Sequence, residues 1–316
     1  MTDGVPRSRH FTLERVAEGV HVAVATDGGW AVANAGIVDL GEQTLVVDTF
    51  VHTEPAARFN SAAETLTGRP VAFVFNTHGH RDHVRGNQVF EGARIVGTTG
   101  TRDLMARAWR ARSERVAKEG LEPLRRETEA ELAGILADPW ETPEDKVLWE
   151  GYLGGILAGT DTLRMRLPEI TFDASVTLHG SKRRAVGITF GGGHSESDAL
   201  LHLPDDGILF FGDLLFIGYQ PYVAEGDPDE LLRVLDRAEA LGADILVPGH
   251  GPVGTPGAFA AMREYVAAVR AAAGGLARRD GTIQAAEIPI PPPFDAWRWR
   301  SFFKQNVEAI ARKRPT

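Results

Sequence analysis

Apolar positions along the chain fall in short blocks rich in Val, Ile, Leu and Phe, separated by turn residues, which is the pattern of buried strands. Residues 20–24, 30–38, 44–48, 71–75 and 93–96 form such blocks in the first third of the sequence. Residues 170–172, 176–178, 185–190, 199–203, 208–211 and 243–247 repeat the pattern after a long gap. Between the early blocks, 56–66 has helical composition and is stopped by Gly68, Arg69 and Pro70, and a helix is expected to open over 82–90. A strand meander followed by β-α-β-α-β predicts an α/β sandwich whose sites lie on loops.

The gap has a different character. From 101 to about 163, Ala, Glu, Arg and Leu dominate, interrupted at Gly120, Pro123, Pro139 and Pro143. Helices are expected over 102–118, 124–136 and 144–157, with Trp109, Ile135, Trp140, Trp149 and Tyr152 as packing residues. This reads as an amphipathic helical insert docked on the core, some of whose aromatics could roof a site. Domain organisation follows: one domain over 11–280 carrying the insert at about 101–163, then a helical extension over 281–316 packed on it. The extension has a proline-rich stretch at 288–294 and a helical stretch at 297–310.

Composition narrows the function classes. With 43% hydrophobic and 24% charged residues, the 316-residue chain is an ordinary globular protein. Its net charge of −9 disfavours a broad contact surface for nucleic acid. No apolar run of about 18 residues suggests a membrane span, and residues 1–10 lack the apolar stretch of a signal peptide, so a cytoplasmic protein is expected. The absence of cysteine excludes disulfides, thiol nucleophiles and thiolate-held zinc. Any metal must be held by imidazole and carboxylate.

Such ligands are concentrated where the block at 71–75 ends. His78, His80, Asp82 and His83 fall inside six residues, with Gly79 letting the backbone bend between the first two. Isolated histidines are ordinarily loop residues, but this spacing suits a cation such as zinc, bound by His and Asp at about 2.0–2.2 Å. Gly191, Gly192 and Gly193 mark a tight turn that presents His194. Asp213 interrupts the apolar run 209–216, where a carboxylate is costly unless paired or metal-bound. His250, flanked by Gly249 and Gly251, ends the last block.

Other residues carry two readings. Asp48, at the end of the block 44–48, is either the N-cap of the helix after His52 or a carboxylate standing behind the ligands. Tyr219 and Tyr222 either line a substrate pocket or are ordinary loop aromatics. His21, His179 and His202 lie within or beside strands, outside any ligand spacing, and are assigned structural roles; His10 is assigned to the tail.

Taken together, Asp48, the His78–His80–Asp82–His83 cluster, Gly193–His194–Ser195, Phe211–Gly212–Asp213 and Pro248–Gly249–His250–Gly251 resemble the metallo-β-lactamase superfamily of binuclear metallohydrolases. The resemblance covers about 11–100 and 170–270. It implies a four-layer αββα sandwich of metallo-β-lactamase type, here with a helical insertion, and two metals at its loop ends. By motif position, His78, His80 and His194 would hold the first metal, Asp82, His83 and His250 the second, and Asp213 would bridge them. The segment around Asp213 is similar to glyoxalase II-like and lactonase-like hydrolases rather than to the true β-lactamase branches. The insert before His194 departs from the compact thioesterases of the superfamily, and the tail resembles C-terminal helical caps of poorly characterised members.

The chemistry so implied is hydrolytic. Two divalent ions, zinc before iron or manganese, outweigh Asp82, Asp213 and a bridging hydroxide, leaving a cationic centre that attracts a carbonyl or phosphoryl oxygen. Zinc lowers the pKa of water from about 15.7 to about 7, so hydroxide can attack at neutral pH, with Asp82 or Asp213 shuttling the proton. The expected substrate is a small molecule with an ester-like bond: lactone, thioester or amide, in falling order. The alternatives are a mononuclear iron dioxygenase of the same fold, which the intact second ligand set disfavours, a phosphodiesterase, and a non-catalytic metal-stabilised binding module.

Overall fold

In the computed structural model, residues 7–276, 278–279, 282–283 and 288–313 are described. The first sheet is built from β1 (Phe11–Ala17), β2 (Val20–Ala25), β3 (Ala35–Asp39), β4 (Thr44–Val47), β5 (Val71–Phe75), β6 (Arg94–Thr98) and β7 (Ile170–Phe172), paired in that order. Its first four strands are antiparallel and the rest run parallel from β4 onward. The second sheet has the order β12-β11-β10-β9-β8, from β8 (Ser175–His179), β9 (Arg184–Gly191), β10 (Asp198–Leu203), β11 (Ile208–Phe210) and β12 (Ile245–Val247).

Period-two alternation explains the layering. In β4, Val46 faces one apolar cluster while Leu45 and Val47 face another. The first cluster includes Phe59, Ala62 and Ala63 of α1 (Thr53–Thr67), so α1 covers the outer face of the first sheet. The second, with Phe75, Leu201, Ile208 and Phe210, is the core between the sheets. On the far side, Leu200, Leu209 and Leu246 meet Leu231 and Val234 of α6 (Pro228–Glu239) and Phe259 and Met262 of α7 (Gly257–Gly275). The four layers are therefore α, β, β, α. Two glycines let the sheets interlock: a Cβ at Gly36 would lie 2.4 Å from the Phe210 ring, and one at Gly187 would lie 2.5 Å from the Phe75 ring.

Besides α6 and α7, which the sequence reading did not anticipate, the fold departs from it in three places. Phe11–Ala17 is a strand of its own, an edge strand in which exposed Thr12, Glu14 and Arg15 break up any apolar block. The strand expected over 30–38 begins only at Ala35, because 30–34 bends toward the second sheet: Asn34 Nδ2 donates to the carbonyls of Pro248 at 3.0 Å and Gly251 at 2.7 Å. The helix expected over 82–90 is one α-turn, α2 (Arg81–Val84), followed by a 3₁₀ stretch, Arg85–Val89. The loop after β4 takes its hydrogen bonds, since Thr49 N donates to His83 O at 2.8 Å and Gly86 N to Phe50 O at 3.2 Å.

Residues 101–163 are helical as expected: α3 (Thr99–Glu119), α4 (Glu122–Ala137) and α5 (Pro143–Ala158). They are unequally anchored. No residue of α4 is buried and only Thr101 and Met105 of α3 are, whereas Trp149, Leu153 and Ile156 of α5 pack with Val51, Phe216 and Trp299. Ile135 and Tyr152 border that cluster, Trp140 joins the packing of the C-terminal segment instead, and Trp109 is half-buried outside the apolar clusters. The buried Asp145 carboxylate ties α5 to the chain end, accepting Trp299 N at 2.8 Å and Arg300 N at 3.3 Å. Beyond it, Phe303 and Val307 of α8 (Arg300–Lys313) pack on Tyr265 and Val269 of α7.

Candidate metal centre

His78 and His80 follow β5, Asp82 and His83 sit on α2, His194 follows β9, Asp213 lies in the 3₁₀ turn Gly212–Leu214 after β11, and His250 follows β12. All seven residues singled out as ligands meet in space. Their ligand atoms form two groups, His78–His80–His194–Asp213 and Asp82–His83–His250, each within 4.8 Å. Asp213 faces both. Its Oδ2 is 3.3 Å from His194 Nε2 and 3.8 Å from His78 Nε2, while its Oδ1 is 3.1 Å from His83 Nε2 and 3.2 Å from His250 Nε2.

The ring orientations are fixed from behind. His194 Nδ1 lies 2.8 Å from the Tyr222 carbonyl and His250 Nδ1 lies 3.1 Å from that of Val32; a carbonyl only accepts, so each Nδ1 carries its proton. Asp48 Oδ2 accepts His83 Nδ1 at 2.8 Å and Thr77 Oγ1 at 2.8 Å. With its own proton so committed, Thr77 Oγ1 accepts His78 Nδ1 at 3.1 Å. Four histidines are therefore held at Nδ1 and turn Nε2 inward, as metal ligands do when backed by such partners. His80 is reversed: its Nε2 faces Glu225 at 3.5 Å and its Nδ1 lies 2.9 Å from His194 Nε2.

This donor set fits a pair of divalent cations. His78 Nε2, His83 Nε2 and Asp213 Oδ1 are buried polar atoms without a hydrogen-bond partner among the described residues, a costly condition that a bound cation relieves. Burial alone would raise the Asp213 carboxyl, yet His250, His83 and His194 hold it well below the usual carboxylate range. Against its own burial, His83 is held well above the usual imidazole value by Asp213, Asp48 and Asp82, and burial beside His83 pushes His78 well below it.

Local backbone serves the same end. Gly249 lies so close to Asp213 that a Cβ there would be 2.0 Å from its Oδ1. In the His194 turn, Gly191 and Gly193 have φ of 111° and 144°, and Asp198 clamps it by accepting His194 N at 3.0 Å and Ser195 N at 2.9 Å. Val32 and Asp48 have φ of 69° and 56°. This conformation is uncommon for Asp and an outlier for a β-branched residue, and strain of this kind gathers at functional sites.

The other residues that the sequence singled out take varied places. Asp48 caps no helix; the His52 side chain caps α1, and Asp48 stands behind His83 and Thr77. Tyr219 lies against the His250 ring at 6.5 Å, and Trp299 and Phe216 pack on that ring at 4.7 and 5.0 Å. Tyr222 meets the site through its carbonyl, its ring packing on Phe302 at 4.9 Å. His10 is buried, holding Trp30 N at 2.9 Å through Nδ1. The sequence reading missed Thr77, Asp198, Val32 and Trp299. An Asp four residues after His194 in a glycine turn was a readable signal for Asp198; nothing local marks the other three.

A family model described as the metallo-β-lactamase superfamily matches residues 28–250, from the turn before Val32 to the last histidine of the centre. The chain belongs to this superfamily. Members are mostly metal-dependent hydrolases, and the two His/Asp groups give this one a candidate metal site. Among solved structures it resembles a metallo-β-lactamase from Pontibacter korlensis, with 17% identity, a TM-score of 0.58, and 81% of this chain and 99% of that one covered. It also resembles the metallo-β-lactamase FIM-1 from Pseudomonas aeruginosa, solved in a mono-zinc form, with 16% identity, a TM-score of 0.56, and 84% and 98% covered. These likenesses establish the sandwich fold. No curated protein matches the chain. No helix among the described residues is long and apolar enough to cross a membrane.

Proposed function

We propose that the chain is a binuclear metal-dependent hydrolase that cleaves a small ester-like bond, with lactones, thioesters and amides in falling order of preference. The observation that carries this reading is the division of Asp213, one oxygen toward each histidine group. Two divalent ions there, zinc before iron or manganese because the donors are imidazole and carboxylate, would supply hydroxide at neutral pH and Lewis acidity toward the scissile oxygen. The chain's own residues do the rest. Asp82 turns Oδ2 toward His250 at 3.5 Å, leaving Oδ1 to take up a proton from the attacking water. Phe216, Tyr219 and Trp299 wall the His250 side and exclude bulk water. The aromatic wall and the charge of −9 favour a small-molecule substrate over nucleic acid.

Elemental analysis and a panel of lactones, thioesters, esters and amides test the reading together. About two metals per chain and turnover of at least one panel class are expected. A protein that takes up no metal on reconstitution overturns the assignment, and one iron with oxygen consumption and no hydrolysis replaces it with the dioxygenase.

A further inference from the structure

One loop, residues 221–227, stands behind two ligands of the first histidine group. The Tyr222 carbonyl takes the His194 Nδ1 proton at 2.8 Å, and Glu225 faces His80 Nε2 at 3.5 Å. The loop is also pressed onto the glycine turn that presents His194: Asp227 N donates to Gly193 O at 3.1 Å, and a Cβ at Gly226 would collide with that oxygen. Residues 221–227 form neither helix nor strand. No ladder of backbone bonds therefore sets where the Tyr222 carbonyl lies, and other partners must do so.

Asn306 of α8 is that partner. It is fully buried, and its side chain grips the backbone on either side of Tyr222: Nδ2 donates to Pro221 O at 2.6 Å and Oδ1 accepts Val223 N at 2.9 Å. These two bonds fix which way the amide points, since a carbonyl only accepts and a backbone N–H only donates. Nδ2 also donates to the hydroxyl of Tyr265 on α7 at 3.0 Å, so the amide is anchored from behind by a second buried side chain. Farther along α8, Lys313 Nζ donates to Gly226 O at 2.8 Å. Apolar contacts of Phe303 and Val307 already hold α8 on α7, and a buried amide is costly unless its bonds form. What Asn306 adds is a fixed place for the Tyr222 peptide.

We propose that Asn306 is a positioning residue of the metal centre: by holding the chain on both sides of Tyr222 it places the carbonyl that orients His194, and so sets the affinity of the first metal from the C-terminal helix. The proposal rests on the metal centre and not on which bond is cleaved there. It gives the C-terminal segment a part in metal binding although none of the seven ligands lies on it. The effect is confined to one group, because His250 takes its carbonyl from Val32 and His83 its carboxylate from Asp48.

The test titrates zinc into the full-length protein against a chromophoric chelator, for wild type, Asn306→Ala and Val307→Ala. Asn306→Ala should weaken one metal about 10-fold or more, within the range of about 10- to 100-fold that a ligand's outer partner carries, and leave the other unchanged. Val307→Ala, which loosens the packing of α8 on α7 and leaves both loop bonds in place, should lower the melting temperature and neither affinity. In a His194→Ala background, where the ligand that the carbonyl orients is gone, Asn306→Ala should weaken the first metal no further, whereas general loosening would add in either background. If Asn306→Ala does not fold, the wild type decides: coupling is reciprocal, so metal loading should slow hydrogen exchange at the Val223 amide about 10-fold or more, the same factor. Equal weakening of both metals, an equal effect from Val307→Ala, additivity with His194→Ala, or a Val223 amide indifferent to metal overturns the proposal. Selective weakening by Asn306→Ala in a protein that hydrolyses no substrate would uphold it and sink the hydrolase reading; a wild type that takes up no metal sinks both.

Discussion

Replacing Asp48 with Asn changes no ligand, yet the hydrogen-bond chain behind the centre predicts that it will disable one. Asn tolerates the left-handed backbone at this position, φ 56°, so the turn should survive. Thr77 N donates to Oδ1 at 2.9 Å, so the amide oxygen of the new side chain stays there and its NH₂ replaces Oδ2. That NH₂ then donates to His83 Nδ1, which must give up its proton. The proton moves to Nε2, the atom that faces Asp213 Oδ1 at 3.1 Å and belongs to the Asp82–His83–His250 group. A protonated Nε2 offers no lone pair. His78 is spared, because Thr77 Oγ1 has a second lone pair and can accept from both the introduced amide and His78 Nδ1. Loss of such an outer partner costs about 10- to 100-fold in metal affinity, or about 1.4 to 2.7 kcal/mol. Competition with a chromophoric chelator, read alongside elemental analysis, should resolve one weakened and one unchanged metal. Equal weakening of both, or wild-type affinity throughout, would refute the tautomer argument.

Single contacts carry the other predictions. Asp213→Asn removes the charge shared by both groups, so the second metal should bind more weakly and turnover should stay low even at saturating metal; full activity with one metal bound would contradict the binuclear reading. Gly249→Ala puts a methyl 2.0 Å from Asp213 Oδ1 and 2.8 Å from Gly212 O. It should lower both metal content and stability, by about 1–3 kcal/mol for overpacking, and a variant with wild-type metal content and melting temperature would sink the close-contact argument. At Asp39, burial would raise the carboxyl, but Lys182 and Arg69, at 2.6 and 2.5 Å, hold it below the ordinary 3.8. A depressed carboxyl stabilises above its unfolded value and loses that contribution as pH falls through the folded one. The stability gap between wild type and Asp39→Asn in chemical denaturation should therefore be full at pH 7 and close below about pH 3.8; a gap that stays constant far into acid would count against it.

Much of this protein was determined locally, by residues that act within a few positions of themselves. Apolar blocks of the right length became strands because a strand buried on both faces needs no polar side, as β4 shows with Leu45 and Val47 facing the inner core and Val46 the outer one. The ligands were legible because turn glycines and clustered imidazoles are a property of the chain: His78 to His83 arrive together on one turn, and Gly191 to Gly193 form a bend that can only present His194. The β1 edge strand, its apolar positions interrupted by exposed Thr12, Glu14 and Arg15, and the shortened helix after His80 were not, since backbone bonds to Thr49 and Phe50 decided the latter.

What folding alone decided are the contacts between segments far apart in sequence. Nothing near His250 announces that the Val32 carbonyl, 218 residues away, will fix its ring, or that Trp299 will stack against it. Asp48 could have capped a helix; the choice fell to His52 because the end of β5 brought Thr77 and His83 within hydrogen-bonding reach of the carboxylate. The near-complete burial of Arg85 is likewise invisible in a stretch that reads as an ordinary charged turn. Sequence carries the identity of a donor or a charge, but its proton, its partner and its exposure to water belong to the surroundings, which exist only once the layers have packed.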